Sequence, residues 1–569
     1  MDFVSYFDYV HYPAVLPPLT GGADPRRHPV AIVGGGPIGL ALAVGLARHG
    51  VASVVLEADD SVCTGSRAGC VTDRTLQIFD QFGCAEPVMR QGLPWAEGWS
   101  YYRTDEVFHL QVPQDPLAKF PRLVNIQQCY LEQYLLEAAG RYRDLIEIRW
   151  QNRVAGVEVR ADGARLAVET PLGDYALDCD WVVAGDGARS TVRKAIGARF
   201  VGTQYDGTYI IADIKMKSAL PAGRRAWFDP PSNPGATLLL HKHRDDLWRF
   251  DYQLRRDEDP DEAVKPANVL ARIRSHLELI GETAPWQPVW ISLYKASCLT
   301  LERYRFGRAI LAGDAAHLVP IFGVRGLNSG VDDTHNLAWK LAFVIRGWAD
   351  PRLLESYSDE RVHATRVNMQ NASKSCEFMD PPSPAFALMR TAALSLARDH
   401  AWIRRLVDPR QSAAIGYPDT PLRVADDDAD FAAGPSIGIN VFDTVLPNRG
   451  HLSERLGPQF TVLRFDPAGA GGAAAAGAAV AGTAAGAAGS AAIDAAAFAG
   501  RVDVPAPVAV VDLPAASEVG RRYDARAGTV YLFRPDGHVL ARWRAADPAR
   551  VAAAITQCLQ GGNAVTEPA

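Results

Sequence analysis

The run Gly34-Gly35-Gly36-Pro37-Ile38-Gly39 constrains this fold more than any other stretch, because of what flanks it. Val30-Ala31-Ile32-Val33 before it reads as a short buried strand. Leu40 to His49 after it reads as a helix stopped by Gly50, and Val54-Val55-Leu56 as a second strand closing on Glu57. A β–α–β unit pairs its strands in parallel through a right-handed crossover. Gly34 then permits the tight turn, Gly36 lets backbone approach a pyrophosphate, and Gly39 lets helix and strand pack closely. The helix N-terminus offers unpaired N–H groups and a positive dipole end to phosphate. Glu57 lies about 20 residues on, where a carboxylate accepts hydrogen bonds from ribose hydroxyls. The bland alternative is a glycine-rich turn beside a surface glutamate, and the unit alone does not separate FAD from NAD.

Two later segments bear on that choice. Trp181-Val182-Val183-Ala184 reads as a strand delivering Gly185-Asp186-Gly187 to a turn, with Ser190 and Arg193 opening a helix. Ala309-Ile310-Leu311-Ala312 reads as another strand. It delivers Gly313 and Asp314, followed by His317, Pro320, Gly323, Gly326, Leu327 and Asn328, then the helical run Asn336 to Leu341. An aspartate at a strand end can hold ribityl hydroxyls, and backbone N–H groups at a helix start can face a flavin's pyrimidine edge. Taken singly, each is also what an ordinary β-turn-α connection looks like.

The fold class expected is mixed α/β, with more than one core in 569 residues. An N-terminal extension covers 1–28, a Rossmann-like FAD-binding domain 29–200 and 301–405, and an inserted β-sheet substrate domain 201–300. Alternating stretches such as Thr208 to Ile214 and Leu247 to Leu254 carry that sheet. A linker spans 406–446. A C-terminal unit at 447–569 has strands at Phe460–Phe465, Thr529–Phe533 and His538–Trp543, the last two joined by the turn Arg534-Pro535-Asp536-Gly537. Its Ala/Gly-rich insert, 468–497, contains Gly469-Ala470-Gly471-Gly472-Ala473-Ala474, a chance match to the dinucleotide pattern in repetitive sequence.

A net charge of -6 with no basic face argues against nucleic acid, and no apolar run is long enough for a membrane span. The N-terminus lacks a signal peptide's cationic start and apolar region. The 8 cysteines form no C-x-x-C pair, which suggests a reduced cytoplasmic protein with neither a disulfide framework nor a metal site.

Together the three glycine segments resemble the fingerprints of the group A flavin-dependent aromatic hydroxylases. The nearest likeness is to the 3-(3-hydroxyphenyl)propionate hydroxylase-like branch. Gly65-Ser66-Arg67-Ala68, Arg74 to Phe79, Val124 to Gln128 and Ser356 to Arg361 support it. By that resemblance Gly34, Gly36, Pro37, Gly39, Glu57 and Ala58 hold the ADP half of FAD, and Arg67 and Gln128 flank the ribityl and phosphate region. Gly313 and Asp314 hold the ribityl chain. Pro320, Gly323, Gly326, Leu327 and Asn328 line the isoalloxazine, and Asp186 lies near the pyrophosphate or responds to NAD(P)H. The C-terminal unit is similar to the thioredoxin-like domain of such enzymes. With no cysteine between Cys376 and Cys558, it is left a structural or homodimer-supporting role. The sequence departs from the pattern at Gly323-Val324-Arg325-Gly326, where Arg325 either adds positive charge near the flavin or points to solvent.

The reaction implied is reduction of FAD by transiently bound NADH or NADPH, capture of O2, and attack of a flavin hydroperoxide on a small phenolic aromatic substrate. Trp227, Phe228, Tyr252 and Tyr294 are candidates to pack on the substrate ring or in the core, and His241, His243 and Arg249 for polar contacts. Tyr252 and His241 are the candidate catalytic residues, and His317 reads as structural. The alternatives are a flavoprotein acting on a non-phenolic substrate and a catalytically silent FAD-binding protein. A halogenase is disfavoured because Trp286 to Ile291 has the wrong spacing, and a Baeyer–Villiger oxygenase because no second genuine glycine fingerprint is present.

Overall fold

A computed structural model of the chain describes residues 2–408, 411–447, 450–466, 479–480 and 495–562. The Gly469–Ala474 motif lies outside them, as does most of the Ala/Gly-rich insert.

The first of two eight-stranded sheets runs Arg305–Phe306, Ala309–Leu311, Tyr175–Ala184, Ala23–Val33, Ser53–Leu56, Ile146–Arg149, with Arg153–Val159 and Ala164–Glu169 folded back on one side. Its central strands pair in parallel, Ile32 opposite both Val183 and Val55. Val30 to Val33 are covered on both faces, which is why the run is continuously apolar rather than alternating. The first strand starts at Ala23, inside the stretch expected to be an extension. The three glycine segments follow three adjacent parallel strands of this sheet, so they emerge side by side at its carboxyl edge, where open α/β sheets bind ligands.

The second sheet runs His317–Leu318, Trp286–Thr300, Val201–Met216, Leu247–Gln253, Thr237–Lys242, Arg224–Phe228, Glu97–Tyr102, Asp105–Gln111. Its last two strands come from 97–111, well ahead of the 201–300 stretch read as the sheet region. One face packs Ile210, Leu238, Trp248, Phe250 and Tyr252 against the helix Pro266–Leu279. The other face looks toward the glycine loops.

The C-terminal strands form a five-stranded mixed sheet in which Phe460–Phe465 pairs in parallel with Val508–Leu513 and antiparallel with Val530–Phe533. This unit shares its apolar core with the first: Phe460, Trp543 and Ile555 belong to the same cluster as Leu40, Val183 and Trp339. The N-terminal arm lies across both sheets. Tyr12 stacks on Trp150 at 4.4 Å, and the Val4 N–H donates to Pro288 O at 2.9 Å.

Candidate functional site

A cavity of about 760 Å³ lies between the carboxyl edge of the first sheet and the open face of the second. Gly34, with φ of +100°, turns the chain so tightly against the second loop that a Cβ there would meet Gly185 O at 2.6 Å. A Cβ on Gly36, Gly187 or Gly326 would meet nothing within 4 Å. The first and third segments touch through Ile38, which packs on Gly313 and Gly330. Two helices, Pro37–Arg48 and Gly326–Ile345, begin at the cavity without a side-chain cap or an acidic residue in the first turn. Their orphan N–H groups are left for an anionic or carbonyl-bearing ligand.

Glu57 stands at the lip, accepting from Gly35 N at 2.5 Å and Asp59 N at 2.8 Å, and burial raises its pKa. Asp186 spends one oxygen on Thr191 N at 2.7 Å, while its buried Oδ1 has no partner. Gly313 is fixed from behind: Asp333 accepts from Gly313 N at 2.9 Å and holds His317 at 2.7 Å and Arg361 at 2.6 Å. His317 is thus wholly buried in this brace, and Asp314 projects into the cavity. Asn328 both lines the cavity and clamps two elements, accepting from Thr72 N at 2.9 Å and Thr75 Oγ1 at 2.6 Å.

The roof is the loop around Cys63 to Gly69, which brings in Arg67. Gln128 accepts from Ala68 N at 3.3 Å and donates to Glu132 at 2.8 Å, and Glu132 accepts from Cys63 N at 2.6 Å. Burial pushes the Glu132 carboxyl up to about 7. Sequence reading missed Glu132, although it lies four residues beyond Gln128, one helical turn along the same face.

Of the residues expected to hold cofactor, Gly34, Gly36, Pro37, Glu57, Ala58, Arg67, Gln128, Asp186, Gly313, Asp314, Pro320, Gly326, Leu327 and Asn328 all line this one cavity. Gly39 lies behind the wall, where a Cβ would strike Gly34 O at 1.9 Å. Gly323 opens instead on a neighbouring, smaller pocket. Arg325 does not point to solvent. It is buried on the cavity wall and donates to Asn368 at 3.2 Å, and burial lowers its pKa to about 10. Val324 beside it sits at φ +54°, a strained backbone for a β-branched residue.

The far wall is a lateral row across the second sheet, placed by strand register. Trp290 is opposite Asp213, Asp213 opposite Arg249, Arg249 opposite His241, and His241 opposite Arg224. Directly opposed residues share a face. Asp251, one step along, bonds Arg249 Nε at 2.7 Å and lies 3.4 Å from His241 Nε2. Burial works to raise the Asp251 pKa, but the Arg249 charge and His241 outweigh it and hold the carboxyl well below its usual range. Burial, then the Arg224 charge, lowers His241 to about 4, so the ring is neutral near pH 7. Burial likewise lowers His243 to about 3 and raises Asp213 to about 6. Arg249 also donates to Arg67 O at 2.5 Å, tying the row to the roof.

The candidate Tyr252 is overturned as a site residue. It alternates away from Asp251 and lies buried on the opposite face, under the Arg272 guanidinium at 4.8 Å. Trp227 is on that far face too, while His241, His243, Arg249 and Tyr294 line the cavity. The missed signal was charge: Asp213, Arg249 and Asp251 interrupt buried strands, and a buried charge needs a reason.

The fold and site define a flavoprotein with a dinucleotide cradle facing a substrate sheet. The family described as FAD binding domain matches residues 27–372. The chain belongs to this family and is an FAD-dependent monooxygenase. It is 30% identical to 3-(3-hydroxy-phenyl)propionate/3-hydroxycinnamic acid hydroxylase 2 of Burkholderia vietnamiensis, over 78% of this chain and 80% of that one. It is 31% identical to the 12-dehydrotetracycline 5-monooxygenase/anhydrotetracycline 6-monooxygenase of Streptomyces rimosus, over 69% and 78%. The fold is shared with the flavin-dependent monooxygenase PieE, solved with FAD and substrate, at a TM-score of 0.75 and 23% identity over 95% of this chain and 100% of that one. Open glycine faces, two uncapped helix starts and the orphaned Asp186 Oδ1 all fit FAD. Among the described residues no helix is long and apolar enough to cross a membrane.

Proposed function

We propose that this chain hydroxylates a phenolic aromatic compound, consuming O2 and NADH or NADPH. Bound FAD supplies the redox chemistry that activates O2. Gly34, Gly36, Pro37, Glu57 and Ala58 would take the ADP half. Arg67, Gln128 and Asp314 would take the ribityl and phosphate region, and Pro320, Gly326, Leu327 and Asn328 the ring. The observation that carries this reading is that one cavity joins those residues to the Asp213–Arg249–His241–Arg224 row.

His241 is the group placed to draw on the phenolic proton. Its ring, neutral near pH 7, offers a lone pair, and Asp251 beside it offsets part of the burial and Arg224 charge that disfavour the imidazolium. Roof and arm exclude water. Seven of the eight cysteines are buried and all are free, which suits a reducing cytosol. The C-terminal unit is read as thioredoxin-like on the order and direction of its strands.

The test is to load purified protein with FAD and screen phenols for accelerated NAD(P)H oxidation, with mass spectrometry of the product. A gain of one oxygen is expected. A protein that retains FAD while no phenol hastens its reduction would end the proposal.

A further inference from the structure

Of the basic members of the row, Arg249, His241 and Arg224, only Arg224 has no carboxylate partner among the described residues. Asp251 is held by Arg249 and His241, whereas among the described residues the Arg224 side chain donates only from Nη1 to Gln411 Oε1, at 3.3 Å. Its Nε is buried without an acceptor. On the same wall His243 Nδ1 is also buried and unpartnered, as is Trp290 Nε1 at the other end of the row. Arg224 is half-buried and its guanidinium lies 5.7 Å from the Trp95 ring centroid. A guanidinium that faces a cavity without a counter-charge points to one that arrives with the ligand.

Arg224 also stands at a boundary. It lines the main cavity and a second chamber of about 200 Å³ beyond it. That chamber is walled chiefly by apolar groups, among them Trp99, Phe228, Leu239, Phe322 and Met379. The register explains the change: the row containing Arg224 is charged, while the next passes through Leu239 and Ala226.

We propose that Arg224 is the anion anchor of the substrate site. The substrate is then an aromatic acid, a carboxylate or an equally acidic enol, whose apolar body extends past Arg224 into the second chamber. This rests on the hydroxylase reading and narrows its substrate class. A single neutral phenol would leave both the guanidinium and the chamber unused.

The experiment compares binding to FAD-loaded protein of 6-hydroxy-2-naphthoate, its carboxamide, and the one-ring 4-hydroxybenzoate, by calorimetry. Wild type is expected to bind the naphthoate at least about tenfold more tightly than the amide. Arg224→Met should bring that ratio close to one, and Arg224→Lys should restore part of it. Leu239→Trp, which fills the chamber, should weaken the naphthoate more than the benzoate. Retention of FAD by each variant guards against misfolding. An acid-to-amide ratio near one in wild type, or one unchanged in Arg224→Met, overturns the anchor. Equal losses for both acids in Leu239→Trp overturn the chamber. Either can fail while phenols still drive NAD(P)H oxidation, so this inference and the hydroxylase reading are tested apart.

Discussion

His241 meets the cavity as a neutral ring, and its value depends on the pair behind it. Replacing it with Asn keeps a polar side chain of similar reach but removes the proton acceptor. Turnover of a phenol should fall on the order of 10²-fold, and the pKa of the bound phenol, followed by its ultraviolet absorbance, should rise by about one unit. FAD retention should not change. Tyr252→Phe, on the far face, should leave both measurements alone. The imidazole also carries a stability signature. Folded His241 titrates at about 4 and the unfolded ring near 6.5, so the unfolded chain binds the extra proton between those values. Stability is complete above pH 6.5 and is lost as pH falls toward 4, by on the order of 3 kcal/mol from this group. Urea midpoints measured across that range should fall less steeply in His241→Asn. A variant with wild-type turnover and an unchanged phenol pKa would remove His241 from the mechanism.

Among the elements, the arm and the roof loop act together. Tyr9 OH accepts from Gly65 N at 3.4 Å, Tyr130 OH donates to Tyr6 O at 3.1 Å, and Tyr12 N donates to Asp60 O at 2.7 Å. The first contact is to the loop that delivers Arg67, the second to the helix that carries Gln128, and the third to the segment leading into that loop. Removing residues 2–15 should therefore raise the FAD dissociation constant on the order of tenfold, a cost of about 1.4 kcal/mol, with secondary structure retained. Flavin fluorescence reads it, and an unchanged constant would reduce the arm to a surface ornament. None of this was legible in the sequence beyond an aromatic, proline-rich segment. The glycine loops were legible because their geometry is local: a strand, a turn needing positive φ at Gly34, a helix start. The second sheet's alternation was equally legible in Leu247 to Gln253. Which of its faces met the cavity was not, because that depends on how the sheet docks. Hence Tyr252 was favoured over Asp251. The strands at 97–111 and the row from Trp290 to Arg224 depend on register between distant segments, which no local pattern encodes.

At the scale of the whole molecule, the turn Arg534 to His538 is more than a hairpin end. It carries a buried ion cluster into the cofactor-binding unit. Glu360 accepts from Arg534 Nη1 at 2.6 Å, Lys340 Nζ at 2.7 Å and Asn336 Nδ2 at 2.7 Å, while Asp536 holds Arg534 at 2.6 Å and Trp339 Nε1 at 3.1 Å. Arg74 adds a bond to Asp536 O at 2.9 Å. Two anions and two cations balance, and the four side chains are all but inaccessible to water. Burial works against ionisation of Glu360, yet Arg534 and Lys340 hold its pKa far below the usual range. Such a cluster gives little net stability when complete, but losing one member strands a charge. Glu360→Gln keeps the shape and leaves two cations facing one anion. It should cost about 3–5 kcal/mol, lower the urea midpoint, and expose the linker between the units to protease before the rest unfolds. Because Asn336 and Lys340 lie on the helix that begins at Gly326, the same variant should also loosen FAD. Wild-type midpoint and wild-type FAD retention together would mean that the C-terminal unit is held by its apolar core alone.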